Sequence, residues 1–284
     1  MRKKSGIWAE TFAILRPVCV FLIAIAVVAV AMAVKGWQTA SFMLAGVMVL
    51  MGILLVIQVH RAVYFLRRRS EMVRQAATQA ERHYVDVLLR VIRAVEAREK
   101  YTGGRSERIG RLAERMARLC GLDEEKCALM KVGGQLHDIG LIAVPEAVLN
   151  TPLRLGAAEF RTLQQHSTMS YEVLKPLLSL QEVLPAILHH HERMNGTGYP
   201  NGLKGDQIPL EARILAVADA YDAMTHDRPH RMAMTAAEAL KELLRLTPAG
   251  YDKACVEALA EAVNLTAQEQ VAENTPVAAE TPAR

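Results

Sequence analysis

The chain has 284 residues, a formal net charge of +4 and four cysteines. This length accommodates one sizeable domain with an additional attached segment. Aromatic residues make up only 5% of the sequence and no basic patch is interleaved with them, so the composition gives no support for nucleic-acid binding. The cysteines lack CxxC spacing and lie among apolar residues, which indicates buried thiols in a reducing compartment and argues against disulfides or a zinc site.

Two apolar stretches near the N-terminus, residues 11–34 and 39–59, are each long enough to cross a ~30 Å hydrocarbon core as a helix. Only the residues KGWQ separate them, so the sequence predicts a two-helix transmembrane hairpin within residues 1–60. Basic residues are concentrated before the first stretch and after the second. By the positive-inside rule, both ends of this multi-pass anchor and the rest of the chain are therefore expected in the cytoplasm.

Residues 61–82 are predicted to be a juxtamembrane helical linker, and residues 71–96 to form one long helix. Apolar positions recur in this helix at alternating steps of four and three residues, which is the spacing of a heptad seam. Two interpretations stay open: the seam packs on the chain's own domain, or it forms a parallel homodimer. The seam residues are Val73, Ala77, Ala80, Tyr84, Val87, Val91 and Ala94.

Helical signals dominate the remaining sequence and no alternating strand pattern appears, so the predicted fold class is all-α. Gly121 is expected to follow the end of one helix and Asp123 to cap the start of the next. Residues 265–284 are rich in Ala, Glu, Thr and Pro and are predicted to be a disordered tail. The predicted helices cover residues 106–120, 158–178, 180–191, 210–225, 235–246 and 252–263.

The sequence between Gln135 and Asp222 contains imidazole and carboxylate side chains placed among apolar neighbours. Both groups donate lone pairs of the kind that iron, manganese and zinc bind. An isolated His-Asp pair is commonly a surface or capping pair, but this stretch holds several such residues. His137 and Asp138 end a helical stretch, where backbone distortion can turn both side chains into one cleft. The candidate metal ligands are His137, Asp138, His166, His190, His191 and Asp219.

The histidine pair is followed by a loop rich in glycine and proline, HHHERMNGTGYPNGLKGDQIP. Together with YTGGRSERI, HDIGLIAVPEAVLN and IPLEARILAVADAYDAMT, this loop resembles the HD-GYP family of bacterial phosphodiesterases that hydrolyse cyclic di-GMP. The resemblance runs from about Tyr84 to Val263. It implies a helical-bundle HD-GYP domain at residues 83–264, which the predicted hairpin would attach to the bacterial inner membrane.

The resemblance also implies roles for individual residues. It implies two divalent metal ions, iron or manganese, held by the six candidate ligands, with Asp138 bridging the ions and serving catalysis. Glu192 is expected to hydrogen bond a ring N–H of the histidines and so support catalysis, whereas the adjacent His189 is expected to be structural. The residues expected to contact the cyclic di-GMP substrate are Tyr199, Asp222, Arg228, Arg231 and Arg105.

Two positions depart from the family pattern. Arg105 stands where the family usually has a histidine, and Leu141 stands where it usually has a lysine. A guanidinium has no free lone pair and cannot ligate a cation, so Arg105 is expected to contact a phosphate instead. These departures indicate reduced activity. The alternatives are a catalytically weak module that senses cyclic di-GMP or docks partners, and a phosphohydrolase of another phosphoester.

Overall fold

The computed structural model of the chain describes residues 37–96, 103–149, 156–227 and 232–274, and a few helical positions between 23 and 34. Within these ranges the regular elements are helices, and the extended pairing is an isolated bridge between Asn195 and Lys204. The predicted all-α class is therefore confirmed for the described residues. The chain divides into two compact units, residues 1–79 and 80–284.

Three 3-10 helices lie between α-helices of the described residues, at Ile139–Ala143, Leu178–Leu180 and Gly205–Gln207. The predicted helix over residues 180–191 is shorter than expected, because Pro185 lies in the first turn of a new helix that begins at Leu184. In chain order the α-helices are α1 (Trp37–Glu96), α2 (Arg105–Leu119), α3 (Glu124–Leu136), α4 (Glu146–Leu149), α5 (Ala157–Leu174), α6 (Leu184–His189), α7 (Leu210–Thr225), α8 (Ala236–Arg245) and α9 (Lys253–Asn274).

Helix α1 includes the second apolar stretch and is, by length and composition, able to cross a membrane over part of Ser41–Ala94. The first stretch lies largely outside the described residues, so the hairpin stays a prediction. Helix α1 runs on for 60 residues without interruption, through the second apolar stretch and the predicted helical linker. The reason is compositional: residues 53–96 contain neither glycine nor proline.

Within the second unit, α1 contacts the core through Val85, Leu88 and Ile92. The seam residues Tyr84 and Val87 lie beside this stripe and remain 48% and 39% exposed. The seam residue Val91 also packs against this core, so the contact of α1 with its own domain uses part of the predicted seam and positions adjacent to it. Tyr84 and Val87 are not among the described residues that pack against this core, although the first interpretation placed the seam against the chain's own domain.

The ends of several helices follow local sequence signals. Asp123 caps α3 as predicted, because its carboxylate accepts a hydrogen bond from the Lys126 N–H at 2.8 Å. Gly121 takes a positive φ of 82° directly after α2, as expected of a residue that ends a helix. The tail prediction was wrong for residues 265–274, since α9 continues to Asn274. This segment is rich in Ala, Gln and Glu, and no proline precedes Pro276 to stop the helix.

Helices α2 and α3 approach each other closely where two glycines meet. A Cβ atom at Gly134 would lie 2.9 Å from the Cα atom of Gly110, which is closer than a methyl group can approach. The same contact lets the N-terminus of α2 lie beside the C-terminal end of α3. Arg105 therefore comes within 3.4 Å of Asp138, which lies just beyond α3.

We expect Gly134→Ala to destabilise the fold by about 1–3 kcal/mol, because the new methyl group has to force the two helices apart. Thermal unfolding of the purified chain measures the effect. Gly103→Ala is the matched control, since a Cβ atom there meets nothing within 4 Å. Equal stabilities for the two variants would contradict the close helix contact.

Candidate metal centre

His137 and Asp138 lie where α3 gives way to a 3-10 helix. His137 still has helical dihedral angles (φ −56°, ψ −33°), whereas Asp138 departs from them (φ −98°, ψ 10°). The change of backbone direction brings the His137 Nε2 atom to 3.1 Å from the Asp138 Oδ2 atom. The expectation that a helix end turns both side chains into one cleft is confirmed.

Helix α5 packs against this turn so closely that Gly140 has no room for a side chain. A Cβ atom there would lie 2.1 Å from the carbonyl oxygen of His166. The Gly140 N–H donates to the hydroxyl of Ser170 at 2.9 Å, which satisfies a buried backbone group. The close approach places the His166 Nε2 atom 3.3 Å from the Asp138 Oδ1 atom.

The other candidate ligands come from α6 and α7. His190 directly follows α6, His191 follows it, and Asp219 lies in the middle of α7. All six predicted ligands lie in one cluster, and within it they form two groups whose possible ligand atoms lie within 4.8 Å of one another. Asp138 belongs to both groups. One group is Asp138, His166, His190 and His191, and the other is His137, Asp138 and Asp219.

Backbone carbonyl groups fix the orientation of three of the imidazoles. The Nδ1 atoms of His137, His166 and His190 lie 2.6–2.8 Å from the carbonyl oxygens three residues earlier in the chain. A carbonyl oxygen only accepts, so each Nδ1 carries a proton and each Nε2 faces the cluster, where it can offer a lone pair once it is deprotonated. The Nε2 atom of His190 is buried without a hydrogen-bond partner among the described residues, whereas that of His137 faces the Asp138 carboxylate. A buried imidazole nitrogen without a partner fits a metal ion.

Burial and neighbouring charges shift the pKa values of the histidines in opposite directions. Burial lowers the pKa of His191 to about 3 and holds that of His190 well below its usual value. Burial alone would also lower the pKa of His137, but the Asp138 and Asp219 carboxylates raise it to about 10. Burial would raise the pKa of Asp138, yet the adjacent His137 and His166 hold it well below its usual value. A metal ion would therefore meet ionised carboxylates and neutral His190 and His191, and would displace a proton from His137.

Arg105 is paired with the aspartates of the cluster. Its guanidinium contacts Asp219 and lies 3.4 Å from the Asp138 Oδ2 atom. Sequence reasoning placed Arg105 beside the site but missed Arg108, one turn later in α2. Arg108 donates twice to the carboxylate of Asp222, at 2.7 and 3.2 Å. The spacing of three residues between the arginines was the signal that could have found it.

The predicted hydrogen bond of Glu192 to a histidine ring needs correction. The carboxylate of Glu192 is buried and accepts from the backbone N–H groups of Asn201 and Leu203 at 2.7 and 3.0 Å. It anchors the glycine-rich loop, whereas backbone carbonyls orient the histidines. Asp222 is likewise buried and is bound to Arg108, and its contact with substrate stays a prediction.

The glycine-rich loop brings an aromatic side chain to the cluster. The ring of Tyr199 lies over His191 with a centroid separation of 4.8 Å, and Phe160 of α5 meets its edge at 6.3 Å. Tyr199 therefore lies at the site, as predicted. The predicted substrate contacts Arg228 and Arg231 lie outside the described residues. On another side, Leu141 lines a pocket that also includes Arg105, His137 and Asp138.

We expect Asp138→Asn to lower the metal content of both ligand groups together, because one carboxylate belongs to both. His166→Ala should lower the content of one group only. Elemental analysis of the purified chain measures bound metal per chain, and His189→Ala, which belongs to neither group, is the control. An Asp138→Asn protein as fully loaded as the unmodified chain would contradict the shared site.

Comparison with known proteins shows the family of this site. The model of the HD domain family matches residues 90–255, which include all six clustered ligands. The chain is 37% identical over 207 residues to the cyclic di-GMP phosphodiesterase response regulator RpfG of Xanthomonas campestris. It is 35% identical over 175 residues to the 3'3'-cGAMP-specific phosphodiesterase 3 of Vibrio cholerae. These matches cover 68% and 62% of the chain.

The chain spans only part of these relatives, 55% and 38% of their respective lengths. Among solved structures, the HD-GYP-like protein Bd1817 from Bdellovibrio bacteriovorus matches with a TM-score of 0.50 and 20% identity, covering 66% of the chain and 64% of Bd1817. At that identity the likeness concerns the fold alone. The family model covers more than half of the chain and includes the six clustered candidate ligands. The chain therefore belongs to the HD domain family.

Proposed function

We propose that the chain is a metal-dependent phosphodiesterase that hydrolyses cyclic di-GMP and is anchored in the bacterial cytoplasmic membrane. The observation that carries the proposal is the carboxylate of Asp138, which two groups of possible metal ligands share. Two divalent ions, iron or manganese, would stabilise charge on a phosphodiester and supply a nucleophile at neutral pH. The relatives named above act on cyclic di-GMP and on 3'3'-cGAMP, which supports a cyclic dinucleotide as substrate.

The chain's own residues have complementary tasks in this proposal. Backbone carbonyls hold the imidazoles so that their lone pairs face the cluster, as described for His137, His166 and His190. The ring of Tyr199, flanked by Phe160, offers an aromatic surface against which a nucleobase can stack. Arg228 and Arg231 are proposed to bind substrate phosphate, because a guanidinium can donate two parallel hydrogen bonds to it.

Membrane attachment and dimerisation are part of the proposal. The apolar part of α1 supports the anchor, and arginines after its apolar stretch support a cytoplasmic location for the HD domain. The exposed seam residues Tyr84 and Val87 support a parallel homodimer through α1, since apolar side chains at heptad spacing pack best against a second helix.

Two features support reduced activity. Leu141 places an aliphatic side chain in the pocket beside His137 and Asp138, where a lysine would offer a cation to a phosphate oxygen. Arg105 forms ion pairs with Asp138 and Asp219 of the cluster. The same features favour the second candidate function, a catalytically weak module that senses cyclic di-GMP or docks partners. A phosphohydrolase of another phosphoester is the third.

The decisive test measures hydrolysis by membranes of cells that express the full-length chain. We expect manganese-dependent turnover of cyclic di-GMP to sediment with the membranes, to exceed turnover of 3'3'-cGAMP and to disappear with a chelator. His190→Ala should lower the rate at least about 100-fold, the usual scale for losing a charge-stabilising contact. His189→Ala is the control, because His189 belongs to neither ligand group.

Each contrary result has a definite meaning. Binding of cyclic di-GMP without hydrolysis would establish the sensing alternative. Hydrolysis of a linear phosphodiester alone would establish the third. If the lost lysine limits the rate, Leu141→Lys should raise cyclic di-GMP turnover about tenfold, which is about 1.4 kcal/mol of barrier; an unchanged rate would show that the leucine is tolerated.

A further inference from the structure

Arg105 contacts the same two carboxylates that complete one of the ligand groups. Its Nη2 atom lies 3.4 Å from the Asp138 Oδ2 atom and also contacts the Asp219 Oδ1 atom. The His137 Nε2 atom faces these same two oxygens, at 3.1 and 3.7 Å. A guanidinium has no lone pair to offer a metal ion, so in this position it competes with an ion for the aspartates.

The other ligand group uses the opposite oxygen of Asp138. The Oδ1 atom faces His166 Nε2 at 3.3 Å and His190 Nε2 at 3.9 Å. Among the ion pairs of the described residues, those of Arg105 involve Asp138 through its Oδ2 atom only, together with the Oδ1 atom of Asp219 and the Oδ2 atom of Asp222. An ion entering the group of His166, His190 and His191 therefore has no guanidinium to displace, although it has to replace the hydrogen bond between the Nε2 atoms of His166 and His191, which lie 3.1 Å apart.

The surroundings keep Arg105 in place. Its side chain is only 17% exposed, and its Nη1 atom lies 3.7 Å from the Oδ2 atom of Asp222. Three carboxylates thus surround one guanidinium in a partly buried site, where charge pairs are weakly screened by salt. Without a cation between them, Asp138 and Asp219 would repel each other.

We propose that Arg105 makes the two metal sites unequal. This inference rests on the proposed metal-dependent function and adds an order of binding. The first ion enters the group of Asp138, His166, His190 and His191. A second ion at His137, Asp138 and Asp219 has to displace the guanidinium and therefore binds more weakly. When the second ion is absent, Arg105 supplies positive charge beside Asp138 and Asp219.

The test is a calorimetric titration of the metal-free, full-length chain in detergent with Mn²⁺. In the unmodified chain we expect the second dissociation constant to exceed the first at least about tenfold. Arg105→Gln should lower the second constant at least about tenfold, equivalent to about 1.4 kcal/mol, and leave the first nearly unchanged. Added Mn²⁺ should also raise the melting temperature of Arg105→Gln more than that of the unmodified chain.

Arg108→Gln is the matched control. It removes the same charge one turn along α2, but Arg108 binds Asp222, which is not a candidate ligand. We expect it to change the second constant less than about threefold. An equal response to Arg105→Gln and Arg108→Gln would show a general effect of charge and overturn the inference.

Two further outcomes separate this inference from the function on which it rests. Equal dissociation constants in the unmodified chain would overturn the inference while leaving a metal-dependent phosphodiesterase intact, and this result needs no variant. A chain that binds no Mn²⁺ would overturn both. If Arg105→Gln does not fold, Arg105→Lys keeps the charge but loses the fork that reaches two carboxylates. Its second constant should fall by a smaller factor, and no fall would count against the proposal.

Discussion

The carboxylate of Asp138 lies between imidazoles on one side and a guanidinium on the other. Its Oδ1 atom faces His166 and His190, whereas its Oδ2 atom faces His137 and Arg105. Removing a carboxylate from water costs free energy unless such partners surround it. This requirement explains why residues from α2, α3, α5, α6 and α7 converge on one point. The helical bundle is arranged so that each of these elements delivers a charged or lone-pair-bearing group to Asp138 or its neighbours.

Close helix contacts make the convergence possible. Gly140 admits the backbone of α5 next to the turn that carries Asp138, and Gly134 admits α2 next to α3. Side chains at these positions would separate the helices and move His166 or Arg105 away from the carboxylate. Close packing and site geometry therefore depend on the same residues, so a loss of packing at either glycine is also a loss of the site.

The sequence was informative where a signal is local. The cap at Asp123 and the bounds of α7 follow from residues within a few positions of each helix end, and the HD turn follows from its place at the end of a helix. The six candidate ligands that were chosen from the sequence also lie together in one cluster of the structure.

Long-range pairings could not be predicted from the same sequence. Arg105 is separated from Asp219 by 114 residues, and Arg108 is separated from Asp222 by the same interval. The spacing of the two arginines gives no information about which carboxylate each of them meets. That choice depends on how α2 packs against α7. Glu192 was misassigned for a related reason, because its partners are backbone N–H groups of the loop, and backbone groups carry no sequence signal.

The central claim is that Asp138 is shared by two metal sites of unequal strength. Anomalous diffraction at the manganese edge, from crystals of the chain grown with limiting Mn²⁺, tests it most directly. The account predicts a peak beside the Oδ1 atom of Asp138, among His166, His190 and His191, with Arg105 still bound to Asp219. A peak that appears first among His137, Asp138 and Asp219, or away from Asp138 altogether, would contradict it.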